Sequence, residues 1–265
     1  MTIRRVNHGR YHSYVDTDTG QKIPGATTIL GDGMPKPALI NWAATATAEY
    51  AIDHWDDLTP LTPSKRLNVL QRARYDAKDA AANRGTQVHK LAERLITGEA
   101  VPVPDGLDGH VQSYVRFLDD FDVQPVLVEA VVYSRKYNYC GTLDLVADLI
   151  NPDDPDERHR WLIDIKTSRS GVFGEAALQL AAYRYADVVV ADDGAETDLP
   201  EVDFAGVVHV RADGYDLIPI EAGEAQHRQF LYAQQIARFT ADSRDLIGEP
   251  IISPTTSIYR LVRDE

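Results

Sequence analysis

Two apolar runs suited to β-strands each carry an aspartate where a core strand ordinarily carries none. They are Gly141-Thr-Leu-Asp144-Leu-Val-Ala-Asp148-Leu-Ile and Trp161-Leu-Ile-Asp164-Ile-Lys166-Thr. A carboxylate set among Val, Leu and Ile is costly unless it is paired or binds a cation. One such acid is as well explained by a structural salt bridge. Two of them, with a lysine beside the second, point to a shared site. Asp164 and Lys166 are two positions apart, so on a strand they share a face. Two carboxylates and a lysine converging on one sheet edge predict a divalent-metal site of the kind that hydrolyses phosphodiesters. In that reading Asp144 and Asp164 ligate Mg²⁺ or Mn²⁺, and the Ile165 carbonyl adds a further ligand. Lys166 sits near the attacked phosphate, holding or activating water and offsetting developing charge. Asp148, with the facing of Asp144 but near the strand end, reads as a surface acid.

Around these strands the hydrophobic period changes. Tyr11 to Pro24 reads as a hairpin turning at Asp-Thr-Gly20. An Ala-rich helix follows, from Ala38 to Ile52, with Trp42 packing inward. A second helical pattern opens at Pro63-Ser64, with Leu67, Leu70, Ala73 and Ala77 at helical spacing. Gly85 is expected to interrupt it before Thr86 to Leu95 resume, and Leu107 to Phe121 forms one more helix. Then come three strands, Val126–Tyr133, 141–149 and 161–166, the first two joined as a hairpin. A helix from Gly174 to Val189, two strands around Ala212-Asp-Gly214, and a helix from about Ala222 to Thr240 complete the order. The order predicts an α/β fold, a mixed sheet flanked by helices behind a helical lead-in.

The charge balance of −14 argues against nucleic-acid binding by the whole surface. Its placement softens that objection. Acids gather in two expected loops, at Asp153–Glu157 and Asp192–Asp203, whereas residues 62–94 hold eight basic residues against three acids. Such a stretch can grip a phosphate backbone, and its helices can wall a groove over a bound strand. Taken alone, a run of this kind is as often a solvated helix face. With the single Cys140, the chain has no intramolecular disulfide and no cysteine-held cluster. No apolar stretch is long enough to span a bilayer, and Met1-Thr-Ile-Arg-Arg-Val lacks the apolar run of a signal peptide, so a cytoplasmic protein is expected.

Four motifs in order carry a resemblance: Arg84-Gly85-Thr-Gln-Val-His89, Asp144, Asp164-Ile-Lys166, and Gln179-Leu-Ala-Ala-Tyr183. Together they resemble the PD-(D/E)XK nuclease superfamily, and within it the RecB-like exonuclease branch of the phage-encoded type. The likeness covers roughly residues 84–215. It implies a restriction-endonuclease-like core in 123–265 with an N-terminal hairpin and helical region in 1–122, one nuclease domain over 1–265. It implies further that Asp144 and Asp164 ligate the metal, that Lys166 is catalytic, and that His89 is an added metal ligand. Gln179 and Tyr183 then line the DNA groove or brace the site. Glu129 occupies a place where relatives often carry an acid that orients the lysine or a second ion; a surface-strand glutamate is the equal alternative. Leu143 stands where proline is common. The four cysteines of cluster-bearing relatives are missing, as is a GxxxxGK[ST] loop, so a helicase, recombinase or annealing partner would be a separate chain. The expected activity is hydrolysis of DNA from single- or double-stranded ends, in recombination, repair or phage DNA metabolism within a bacterial cell or phage-infected host. The rival readings are a nuclease-fold binding module without catalysis and a structure-specific endonuclease of the same fold.

Overall fold

The computed structural model describes residues 2–8, 11–168 and 170–251. The chain opens with three short strands, β1 (Ile3–His8), β2 (Tyr11–Asp16) and β3 (Lys22–Ile23), which form a small antiparallel sheet. Five helices follow: α1 (Ala26–Gly33), α2 (Pro37–Asp53), α3 (Trp55–Leu58), α4 (Pro63–Ile96) and α5 (Asp108–Asp120). The remaining elements are β4 (Gln124–Ser134), β5 (Tyr139–Asn151), β6 (Asp154–Lys166), α6 (Glu175–Arg184), β7 (Val188–Val190), β8 (Glu196–Asp198), β9 (Phe204–Val210), β10 (Tyr215–Pro219) and α7 (Glu224–Asp242). Their strands build a seven-stranded mixed sheet in the order β10-β9-β6-β5-β4-β7-β8, with β6 and β9 parallel and the other neighbours antiparallel. The fold is α/β, a central mixed sheet flanked by helices, consistent with a restriction-endonuclease-like core.

Both faces of this sheet are covered, which is why β5 reads as a nearly continuous apolar run. On one face α1, α6 and α7 pack over Tyr139, Leu143, Val146, Leu162 and Val207. On the other, Ala92 of α4 and Tyr114 and Phe117 of α5 pack over Leu145, Ala147, Ile163 and Val208. The small N-terminal sheet lies on that second face as well, where Ile3, Tyr14 and Ile23 meet Tyr133, Cys140, Val188 and Val190.

Four local expectations are corrected. The helix expected from Gly174 to Val189 ends at Arg184, and the β-branched run Val188–Val190 forms the strand β7 instead. The acidic stretch Asp153–Glu157, expected as a loop, is mostly strand, because β6 begins at Asp154 and pairs with β5 beyond the apolar run. α4 runs unbroken for 34 residues through Gly85, about 50 Å at 1.5 Å per residue. Interior glycine weakens a helix without ending it, and a Cβ at Gly85 would stand 3.4 Å from the Thr167 hydroxyl, so the helix passes close to the end of β6 there. Trp42 does not pack inward: α2 buries no residue fully, and Leu39, Ile40, Trp42 and Ile52 are exposed. α2 rests on α4 and α3. Among the described residues, no helix is long and apolar enough to cross a membrane.

Candidate active site

The site begins as a gap in the sheet. β5 and β6 pair up to Leu145 opposite Ile163, and there the ladder stops. The next inward-facing amide, Ile165 N–H, donates to the Asp144 carboxylate (Oδ2) at 2.7 Å. On the other side of β5, Val128 pairs with Leu145 and Ala130 with Leu143, while Glu129 and Asp144 between them are left out of the ladder. Glu129 is held there at φ +48°, in the left-handed region that non-glycine residues rarely enter.

Both strands exchange faces at this row. In β4, Leu127 joins the α6/α7 side, Val128 the α4/α5 side, and Ala130 and Val132 the α6/α7 side again. In β5, Tyr139 and Leu143 lie on the α6/α7 side, yet so does the even-numbered Val146, with Leu145 and Ala147 opposite. Strict alternation would hold each parity to one side throughout. Because both strands shift together, pairing register survives, and Val128, Glu129, Asp144 and Leu145 all line one small pocket against α4.

α4 brings His89 into that pocket. The His89 imidazole (Nδ1) lies 3.5 Å from Asp144 Oδ2. One ligating atom each from His89, Glu129 and Asp144 all fall within 4.8 Å of one another. Ligands about 2.1 Å from a Mg²⁺ lie at most about 4.2 Å apart, so small side-chain rotations close this set around an ion. Two carboxylates and an imidazole are a donor set that divalent cations accept. The charges of the three groups are coupled. Burial opposes a charged His89, but the Asp144 carboxylate outweighs it and lifts the imidazole to about 9. Burial and the Asp144 charge push Glu129 up to about 7 against the pull of His89 and Arg5. Burial also disfavours ionised Asp144, yet the His89 and Lys166 charges and the Ile165 N–H hold it below the usual carboxylate range.

The second half of the site lies toward α6. Asp164 is buried, and Lys166 Nζ stands 3.0 Å from its Oδ1 and 2.8 Å from its Oδ2. Gln179 donates from its amide to Asp164 Oδ1 at 2.7 Å, and to the Tyr183 hydroxyl at 3.2 Å. Asp164 Oδ2 makes the ion pair but has no well-directed hydrogen bond, an orphaned buried oxygen that a cation would satisfy. Burial pushes Asp164 up to about 6 despite Lys166. The ammonium itself is raised above the ordinary lysine value: burial opposes this, and the Asp164 and Asp144 charges prevail.

The side chains expected at the site therefore fall into two groups, joined where Ile165 N–H meets Asp144. His89, Glu129 and Asp144 form one; Asp164, Lys166, Gln179 and Tyr183 form the other. Asp148 is a part-exposed acid that faces Arg160 across β5 and β6 and receives two hydrogen bonds from its guanidinium, at 2.8 and 2.9 Å. Of the basic run on α4, Arg66 caps carbonyls of Leu58, Thr59 and Leu61, and Arg94 pairs with Glu99. Arg72 and Arg74 are exposed, with Arg74 lying over the Tyr75 ring. The side chains of Ala77 and Lys78 lie outside the described residues.

Sequence reasoning missed the contribution of the N-terminal sheet. Arg5 on β1 reaches Glu129, with Nη1 3.5 Å from Oε2. Tyr14 on β2 bonds the Thr142 hydroxyl at 2.8 Å, one residue from Leu143 and two from Asp144. Those partners are 128 positions apart, and no local pattern announces them. No protein-family model matches the chain, and no curated protein matches it.

Proposed function

We propose that this chain is a divalent-metal-dependent DNA exonuclease of the RecB-like PD-(D/E)XK type, acting in the cytoplasm of a bacterial cell or phage-infected host on single- or double-stranded ends. The observation that carries the reading is the meeting of His89, Glu129 and Asp144 with the Asp164–Lys166–Gln179 group around one backbone unit, Ile165. A bound Mg²⁺ or Mn²⁺, held by Glu129, Asp144, Asp164 Oδ2 and a His89 that releases its proton on binding, would polarise a phosphoryl oxygen and supply a nucleophilic water at neutral pH.

The chain's own groups divide the remaining work. Lys166 keeps its proton and presents a positive charge where a pentacoordinate phosphate gathers negative charge. Asp164 fixes the direction of that ammonium, and Gln179 fixes Asp164. Ile165 N–H and His89 keep Asp144 ionised and oriented. In an extended strand a residue's N–H and C=O point the same way, so the Ile165 carbonyl is aimed at the same gap as its amide. A helicase, recombinase or annealing protein would act as a separate chain.

Digestion of end-labelled linear DNA and covalently closed circles, with Mg²⁺, Mn²⁺ or EDTA, tests this. Metal-dependent loss of linear DNA alone is expected, and Lys166→Ala lowers its kcat by about 100-fold or more. Equal cleavage of closed circles would replace the exonuclease with an endonuclease. Binding without cleavage under either metal would replace it with a binding module.

A further inference from the structure

Arg5 projects from β1 into the second face of the main sheet, on a small sheet whose other inward residues, Ile3 and Tyr14, are buried. Among the described residues its ion pair is loose and one-pronged, at 3.5 Å to Glu129. Its Nε is buried without a hydrogen-bond partner, although a guanidinium is suited to two parallel bonds with an oxyanion. A buried donor left unpaired costs stability, so the arrangement lacks an acceptor. Nε itself is shielded, whereas the side chain as a whole is 31% exposed, so a ligand meets its outer atoms rather than Nε. Glu129 in turn lies within 4.8 Å of the His89 and Asp144 ligating atoms, so Arg5 borders the cluster by one carboxylate.

We propose that Arg5 is a substrate-binding residue that grips a phosphate of the nucleic-acid strand beside the reacting one, using its two terminal nitrogens as a fork. This rests on the nuclease reading above. Glu129 holds the guanidinium in place until a phosphate supplies the better, two-pronged acceptor. β1, remote in sequence from the catalytic strands, thereby places the strand rather than performing chemistry.

The test uses the full chain in EDTA, where cleavage is off, and a fluorescein-labelled duplex of arbitrary sequence. Affinity is measured by anisotropy across a salt series. Each phosphate contact contributes about 0.9 to the slope of log K against log salt for duplex DNA, so Arg5→Gln should reduce the slope by roughly that amount. Arg4→Gln removes the same charge from the exposed face of the same strand and leaves the slope unchanged. If Arg5→Gln does not fold, Arg5→Lys decides: it keeps the slope, because the charge remains, and loses several-fold in affinity, because the fork is gone. A folded Arg5→Gln with the wild-type slope, or an Arg5→Lys with wild-type affinity, overturns the assignment alone. Wild-type protein that binds no DNA overturns the nuclease reading and this assignment with it.

Discussion

Gly141 is the residue on which the α6 half of the site is seated. A Cβ there would lie 2.3 Å from Cε1 and 2.8 Å from Cδ1 of Tyr183, distances no real side chain shows. Tyr183 therefore lies flat on bare backbone, its hydroxyl receives Gln179, and Gln179 holds Asp164. Gly141→Ala is expected to destabilise the protein by about 1–3 kcal/mol through overpacking and to lower activity with it. Thermal melts of Gly141→Ala, Tyr183→Ala and the double variant check the cause: the glycine substitution should cost little once the ring is gone. The sequence makes Asp164, Lys166, Gln179 and Tyr183 legible because their spacings are short and periodic. It leaves Gly141 silent, since a glycine beside a strand's start looks the same whether it ends a turn or admits a ring. Arg5 is silent for a different reason: a basic residue near a chain's start has no local partner to betray its use.

At the scale of elements, β5 and β6 are tied by more than their ladder. Asp148 and Arg160 stand opposite one another and make a two-pronged, charge-assisted pair on the sheet. Hydrogen bonds from Arg160, outweighing some desolvation, hold Asp148 below the usual carboxylate range. Its folded value is thus lower than its unfolded one, so its stabilisation is full above the unfolded value of about 3.9 and disappears as pH falls through the folded one. Asp148→Asn is expected to lower stability at pH 7 by about 0.5–1 kcal/mol, and the difference from wild type should vanish in urea titrations as the pH is taken below 4. The elements themselves were partly readable: apolar period and Pro or Gly punctuation place α5, β4, β5 and α7 within a few residues of where they lie, whereas the helix expected to run to Val189 ends at Arg184 and the strand β7 follows it. The misreadings at Gly85 and Trp42 share one cause. Tertiary context decides whether a glycine breaks a helix or whether an aromatic on an apolar stripe finds anything to cover it.

Across the whole molecule, burial is uneven. β5 is buried on both faces, whereas α2 has no fully buried residue and rests on α4 and α3. Amide exchange should follow: α2 amides exchange through local opening, and those of Leu145–Leu149 only through opening near the global free energy. Hydrogen exchange read by mass spectrometry checks this, and equal protection in the two segments would contradict it. The fold class was legible because the alternation of helical and strand periods survives at this scale. The way the two groups of the site meet at one row was not, because it depends on the exchange of faces at Glu129 and Asp144. That exchange has a consequence for how this protein can change over generations. Adding or deleting one residue in β4 alone, or in β5 alone, near this row would throw half a strand's apolar side chains out of the core. Only a matched edit in both strands is tolerated, so the two acids are inherited as a linked pair, and their neighbourhood should drift in composition far more readily than in length.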